Sequence, residues 1–187
     1  MAIFLLIEKE ILILFEKDTW VRIHTELNSD YPKRKGDDTN SFIAGFTDNV
    51  VTYTLIQTEQ GYRVLENRIM ILDGMQLRFL YDVERNLVPH LDMISHYFQS
   101  LDIFRNLALS GYVQVHPLRE PENGEQKVIQ VEGVVYYAIY ASVFRPRLTQ
   151  TGKILLAHVK QCELFYDCME KMDRVLAQNI LEKKEIL

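Results

Sequence analysis

Residues 153–185 read KILLAHVKQCELFYDCMEKMDRVLAQNILEKKE, a run with neither proline nor glycine. Within it Leu155, Val159, Cys162, Phe165, Tyr166, Met169, Met172, Leu176 and Ile180 recur at three- and four-residue steps. That spacing puts them on one helical face. A helix of roughly thirty residues is on the order of 45 Å long, longer than a compact domain of this size is wide. The proximal half, 155–165, is therefore expected to cover a sheet, and the distal half, 169–181, to reach a partner.

Upstream, the apolar pattern changes period from helical to alternating. Residues 134–144 are apolar on both faces, as in a central strand, and Pro146 is expected to end it. Val51, Tyr53 and Leu55 alternate with Thr52 and Thr54 as in a half-exposed strand. Gln60-Gly61 reads as a turn and residues 62–72 as the next strand. Asp73-Gly74 is a strong hairpin signal, after which Leu77, Phe79, Tyr81 and Val83 alternate with polar residues. Pro89 can open a middle helix with Leu91, Ile94, Phe98, Leu101 and Phe104 buried, ended by Ser110-Gly111. Strand signals return at 112–116 and from 128, separated by a charged loop with Asn123-Gly124 at its tip.

The N-terminal residues 2–15 fit a helix or strands, with a strand expected over 19–27. Their apolar runs are broken by Glu8, Lys9 and Glu10, and neither approaches the roughly 18 residues of a membrane span. A polar segment, 28–40, is expected to be a mobile loop. The fold expected is thus α+β, in a single domain of residues 1–187. It has one antiparallel sheet of about five to six strands, a middle helix and the long C-terminal helix at 153–185 on one face. The order of elements resembles that of acidic type III secretion chaperones, dimers that hold partner polypeptides. The likeness covers element order and no residue motif, and it implies a chaperone-like role.

The length of 187 residues and the ordinary apolar and charged content suit one globular domain. A formal net charge of −5 argues against a general nucleic-acid or anionic-membrane binder. The two cysteines, Cys162 and Cys168, sit six apart and cannot bridge on an intact helix. Their scarcity favours a reducing, cytoplasmic compartment.

Candidate chemistry is dispersed. His90, Asp92 and His96 cluster near the middle helix, where carboxylate and imidazole could ligate a metal or orient a base. Asp92 at a helix start is equally explained by the helix dipole. His158 and Cys162 share a helix face but lack the further ligands a zinc site needs. Tyr136 and Tyr140 share a strand face that would line a pocket or pack as core. Lys33, Arg34 and Lys35 form one basic cluster and Arg145 with Arg147 a smaller one. Either could grip a phosphate or carboxylate. Phosphate-cradling glycine loops, nucleophile elbows and paired-cysteine zinc motifs are absent from the sequence. No cofactor or metal is expected.

The function expected first is a non-catalytic protein-binding or assembly module, a homodimer or part of a complex. Its interface would be Phe165, Tyr166, Met169, Met172, Leu176 and Ile180, residue types that interfaces favour. The alternative is a small-molecule-binding protein or enzyme with a pocket between sheet and helix, near His90, Asp92, His96, Tyr136 and Tyr140. A weaker alternative is a nucleic-acid accessory protein using Lys33, Arg34 and Lys35.

Overall fold

The computed structural model describes residues 3–7, 10–17, 20, 53–66, 69–98 and 100–185. The strand expected over 19–27, the loop at 28–40 and the Lys33, Arg34 and Lys35 cluster fall outside them, save for Trp20.

The architecture is α+β, but the strands do not join into one sheet. Among the described residues, a four-stranded, a three-stranded and a two-stranded antiparallel sheet replace the expected sheet of five to six strands. The first contains β1 (Ile3–Ile7), β2 (Glu10–Glu16), β7 (Gln126–Val131) and β8 (Val134–Tyr140), in the order β1-β2-β8-β7. The N-terminal stretch is therefore two strands, not a helix. β8 is central, as its two apolar faces require. One face carries Ile11, Ile13, Phe15 and Ile139 into the main core, and the other carries Leu12, Leu14 and Ala138 into a small second cluster.

The second sheet is β3 (Tyr53–Thr58), β4 (Gly61–Glu66) and β5 (Ile69–Asp73). The single strand expected over 62–72 is thus a pair. Asp73-Gly74 is not a hairpin turn, because Asp73 caps helix α1 (Gly74–Glu84). Its carboxylate accepts from Gln76 N at 2.8 Å, while the Gln76 side chain accepts from Asp73 N at 3.0 Å. This reciprocal capping box satisfies two donors that a helix start otherwise leaves orphaned. It converts the expected strand over 77–83 into a helix with Leu77, Phe79 and Leu80 fully buried. α1 packs against β4, β9 and both C-terminal helices, so the helices do not simply lie together on one face of a single sheet.

The expected middle helix is also divided. A 3₁₀ turn at Leu91–His96 has no side-chain cap at His90, and α2 (Leu101–Leu109) starts afresh where Ser100 Oγ accepts from Asp102 N at 3.2 Å. Phe79 of α1 binds these pieces together, with ring centroids 5.1 Å from Tyr97, 5.3 Å from Phe98 and 5.6 Å from Phe104. Tilted and edge-on pairs at such separations add to the area term of burial.

β6 (Val113–Pro117) and β9 (Phe144–Leu148) make the two-stranded ribbon. The strand expected over 134–144 turns at a short 3₁₀ segment, Ala141–Val143, and then runs through Pro146 rather than ending there. Proline is tolerated because a two-stranded ribbon leaves each strand one edge without a ladder partner.

The C-terminal run is two helices, α3 (Gln150–Val159) and α4 (Leu164–Glu185), not one. At residues 160–163 the bonding tightens, with Gln161 N to His158 O at 3.1 Å and Cys162 N to Val159 O at 3.0 Å. Lys160 turns back to pair with Glu84 at the end of α1. The break lets Leu155, Leu156 and Val159 pack on one part of the core and Phe165, Cys168 and Met169 on another. A straight rod would carry its distal half past the core. Among the described residues no helix is long and apolar enough to cross a membrane.

Candidate functional site

In the β6–β9 ribbon, Gln114 opposes Arg147 and His116 opposes Arg145. Strand alternation buries Phe144, Pro146 and Leu148 on one face and aligns Arg145 with Arg147 on the other. Directly after β9, Thr149 caps α3. Its Oγ1 accepts from Gly152 N at 3.1 Å and donates to Gly111 O, while Thr149 N donates to Tyr112 O at 3.2 Å. Gly111, at φ +76°, takes the left-handed conformation that ends α2. Gly152 permits the closest approach, since a Cβ there would lie 2.2 Å from Tyr112 O. The amino end of α3 is thereby stitched onto the ribbon and the end of α2.

Between these elements and the carboxyl end of α1 lies a cavity of about 860 Å³. Arg145, Arg147 and Lys153 contribute positive charge to its lining, and among the described residues Glu84 is the one carboxylate there. Glu84 is already paired with Lys160. Arg145 Nε is buried with no hydrogen-bond partner among the described residues. Val83, Val88, Tyr112 and Leu148 add apolar surface, and Gln114, Thr149 and Thr151 neutral polar groups. The site is thus locally cationic on an acidic chain.

Of the residues expected to form a pocket, only His90 lines this cavity. Asp92 and His96 lie on the 3₁₀ turn outside its lining, Asp92 exposed and His96 half-buried. Tyr136 and Tyr140 pack with Leu12, Leu14 and Ile129 on the other sheet; Lys127 Nζ lies 5.5 Å from the Tyr140 ring centre. They are half-buried packing residues and do not line this cavity. Lys153 and Tyr112 were not legible as site residues. His90 and the alternating Arg145-Pro146-Arg147 pattern were the signals in the sequence that led here.

The expected interface residues lie mostly on the chain's own core. Phe165 and Met169 are buried, and Met172 and Leu176 are partly buried against the same core. Phe165 meets Tyr81 edge-on at 5.2 Å. Ile180 is half-buried, and Tyr166, 71% exposed, lies off the stripe. Cys168 is enclosed, and burial, seconded by Asp73, pushes its thiol up to about 12. It is therefore a packed thiol rather than a nucleophile.

A second polar cluster is buried, and within it Asp82 Oδ1 has no hydrogen-bond partner among the described residues. Arg78 Nε donates to Asp82 Oδ2 at 2.9 Å, its NH1 reaches Met169 O at 3.3 Å and Asp173 Oδ1 at 2.6 Å. Burial works against the Arg78 charge, but Asp82 and Asp173 more than offset it, and its pKa is raised. Burial, then Asp82, pushes the Tyr97 phenol upward. The cluster clamps α1, the 3₁₀ turn and α4 together. Among the described residues no three His, Cys, Asp or Glu side chains gather as a metal site.

Compared with known families, curated proteins and solved structures, the chain finds no match.

Proposed function

We propose that this chain is a small-molecule-binding protein whose ligand occupies the cavity between the β6–β9 ribbon, α1 and the start of α3. The observation that carries this reading is the cavity itself. Its volume of about 860 Å³ falls within the range of ligand sites, and its lining combines apolar side chains with a few charged ones. The test is a fragment screen followed by amide shifts in a two-dimensional NMR spectrum. Binding is expected to move Gly111, Thr149 and Thr151, and Gln114→Trp, at an exposed lining position, should block it with the fold intact. Shifts confined to other surfaces, or unchanged binding in Gln114→Trp, would reject the cavity as the site.

A second reading keeps α4 as a contact for another protein, in a homodimer or a chaperone-like complex. It is supported by the far end of that helix, where Leu181 is 61% exposed beside half-buried Ile180. Light scattering is expected to report a dimer that Ile180→Glu with Leu181→Glu converts to a folded monomer. A monomer at all concentrations, unaffected by the substitutions, removes self-association.

A further inference from the structure

We propose that β7 is a self-association edge, on which a second copy of this chain pairs its own β7 antiparallel about a two-fold axis at Val128. The inference is independent of the cavity reading and uses a surface other than the far end of α4.

Backbone geometry is the first argument. β7 pairs with β8 along one side, and among the described residues no strand pairs with its other side. Antiparallel ladders alternate between residue pairs that exchange hydrogen bonds and pairs that do not. Tyr140 N donates to Glu125 O at 3.3 Å, directly across the register that sets Gln126 against Ile139. Bonded pairs therefore recur at Lys127, Ile129 and Val131. The amides and carbonyls of Gln126, Val128 and Gln130 point the other way, out from the sheet edge.

Register is the second. About an axis at Val128, Val128 faces its own copy and Gln126 faces Gln130 of the second copy. Each of these outward pairs can exchange two bonds, and the two sheets become one. The neighbouring registers are worse. An axis at Lys127 sets two ammonium groups directly opposite each other, which is destabilising. An axis at Ile129 sets Gln126 against Glu132, whose φ of +50° has already left the strand. The axis at Val128 places no like charges opposite each other.

Exposure is the third. Val128 is 66% exposed, and Val135, on the same face, is 42% exposed. Sheet edges are ordinarily guarded by lysine, proline or a bulge. β7, of sequence QKVIQV, has no proline and pairs with β8 without a register shift. Its one charged side chain, Lys127, is turned over the Tyr140 ring. A six-residue strand joins only a small surface, so the dimer is expected to be weak and concentration-dependent.

Sedimentation equilibrium of the purified chain over a concentration series is expected to show monomer and dimer exchanging. Val128→Lys sets like charges across the axis and should weaken the dimer by at least about fivefold. Its melting temperature should not change, because the position is exposed. Ile180→Glu with Leu181→Glu should leave this dimer intact. The register is read by oxidation of single-cysteine variants in a Cys162→Ser background. Bonded pairs lie about 5.5 Å apart at Cα, within disulfide reach, so Val128→Cys should cross-link to its own copy and Lys127→Cys should not. A monomer up to about 1 mM, or a dimer broken by the α4 substitutions and not by Val128→Lys, overturns the proposal. So does cross-linking through Lys127→Cys in place of Val128→Cys. A Val128 amide still protected from hydrogen exchange in the dilute monomer would show that the chain covers its own edge, and overturns it as well.

Discussion

The phenol of Tyr97 donates a 2.9 Å hydrogen bond to Oδ2 of Asp82, a carboxylate only 2% exposed. The same oxygen accepts from Arg78, and so one carboxylate holds α1 to the 3₁₀ turn and, through Arg78, to α4. Removing one member of a buried charge pair strands the other in a medium that solvates it poorly. Asp82→Ala should therefore cost about 3–5 kcal/mol in denaturant unfolding. Tyr97→Phe should cost about 1.5 kcal/mol, since Arg78 still bonds the same Asp82 oxygen. Asp173→Ala should fall below about 1 kcal/mol, because that carboxylate is 57% exposed. Equal losses in all three would show that Asp82 is not the hub.

The two tightly placed glycines should respond differently to a methyl group. A Cβ on Gly152 would press on a backbone carbonyl 2.2 Å away, which cannot yield without moving Tyr112. Gly152→Ala is expected to lose roughly 1–3 kcal/mol or more and to disturb the cavity wall. On Gly74 the nearest atom is Met172 Sδ at 3.0 Å, the end of a flexible side chain. Helix propensity favours alanine there by up to about 1 kcal/mol, so Gly74→Ala should be nearly neutral. Thermal melts of the pair decide the point, and a Gly152→Ala protein as stable as the parent would refute the close approach.

The elements that could be read from residues alone are those whose packing is two-sided or strictly alternating. β3 shows alternation because one face meets the core, and the second half of β8 is covered on both faces, with Ile139 in the main core and Ala138 in the second cluster, while Val134 and Val135 are exposed. The misreadings have equally specific causes. Asp73 serves a hairpin or a capping box equally well, and Gln76 three residues later is what favours the helix. No proline or glycine marks the break between α3 and α4. Contacts remote in sequence set it, Lys160 with Glu84 and Phe165 with Tyr81. The site was legible only as His90 and the Arg145 and Arg147 pair, because Tyr112 and Lys153 come from separate elements that tertiary packing brings around one space.

Cys168 should be the silent thiol of this chain. With its thiol held up to about 12, chiefly by burial, the folded protein keeps that proton well beyond the ordinary range. Alkylation of the native protein at mildly alkaline pH is expected to spare Cys168, and denaturant should release it. The linkage has a definite sign. Between about pH 9 and pH 12 the unfolded chain gives up this proton while the folded chain retains it, so stability falls as pH rises. Cys168→Ala should flatten that alkaline decline relative to the parent. Rapid native labelling at Cys168 would contradict its enclosure.

Glu125 should show the opposite behaviour at the acid end. Arg119 grips its carboxylate through two bonds of 2.6 and 2.8 Å, and Glu122 N adds a third at 2.8 Å. Arg119 first, then that amide, pulls the carboxyl down to about 2. A folded-state value below the unfolded one means the contribution is present above the ordinary carboxylate range and lost as pH falls from about 4.5 toward 2. Because the pair is on the surface, the loss should be local to the connection between β6 and β7 rather than global. Carbon-detected NMR of the Glu125 carboxyl should find it charged at pH 3.5, and the Glu122 amide should exchange faster once it protonates. Glu125→Gln should bring fast exchange to neutral pH with little change in melting temperature. A carboxyl that titrates like a free glutamate would show that the Arg119 grip does not persist in solution.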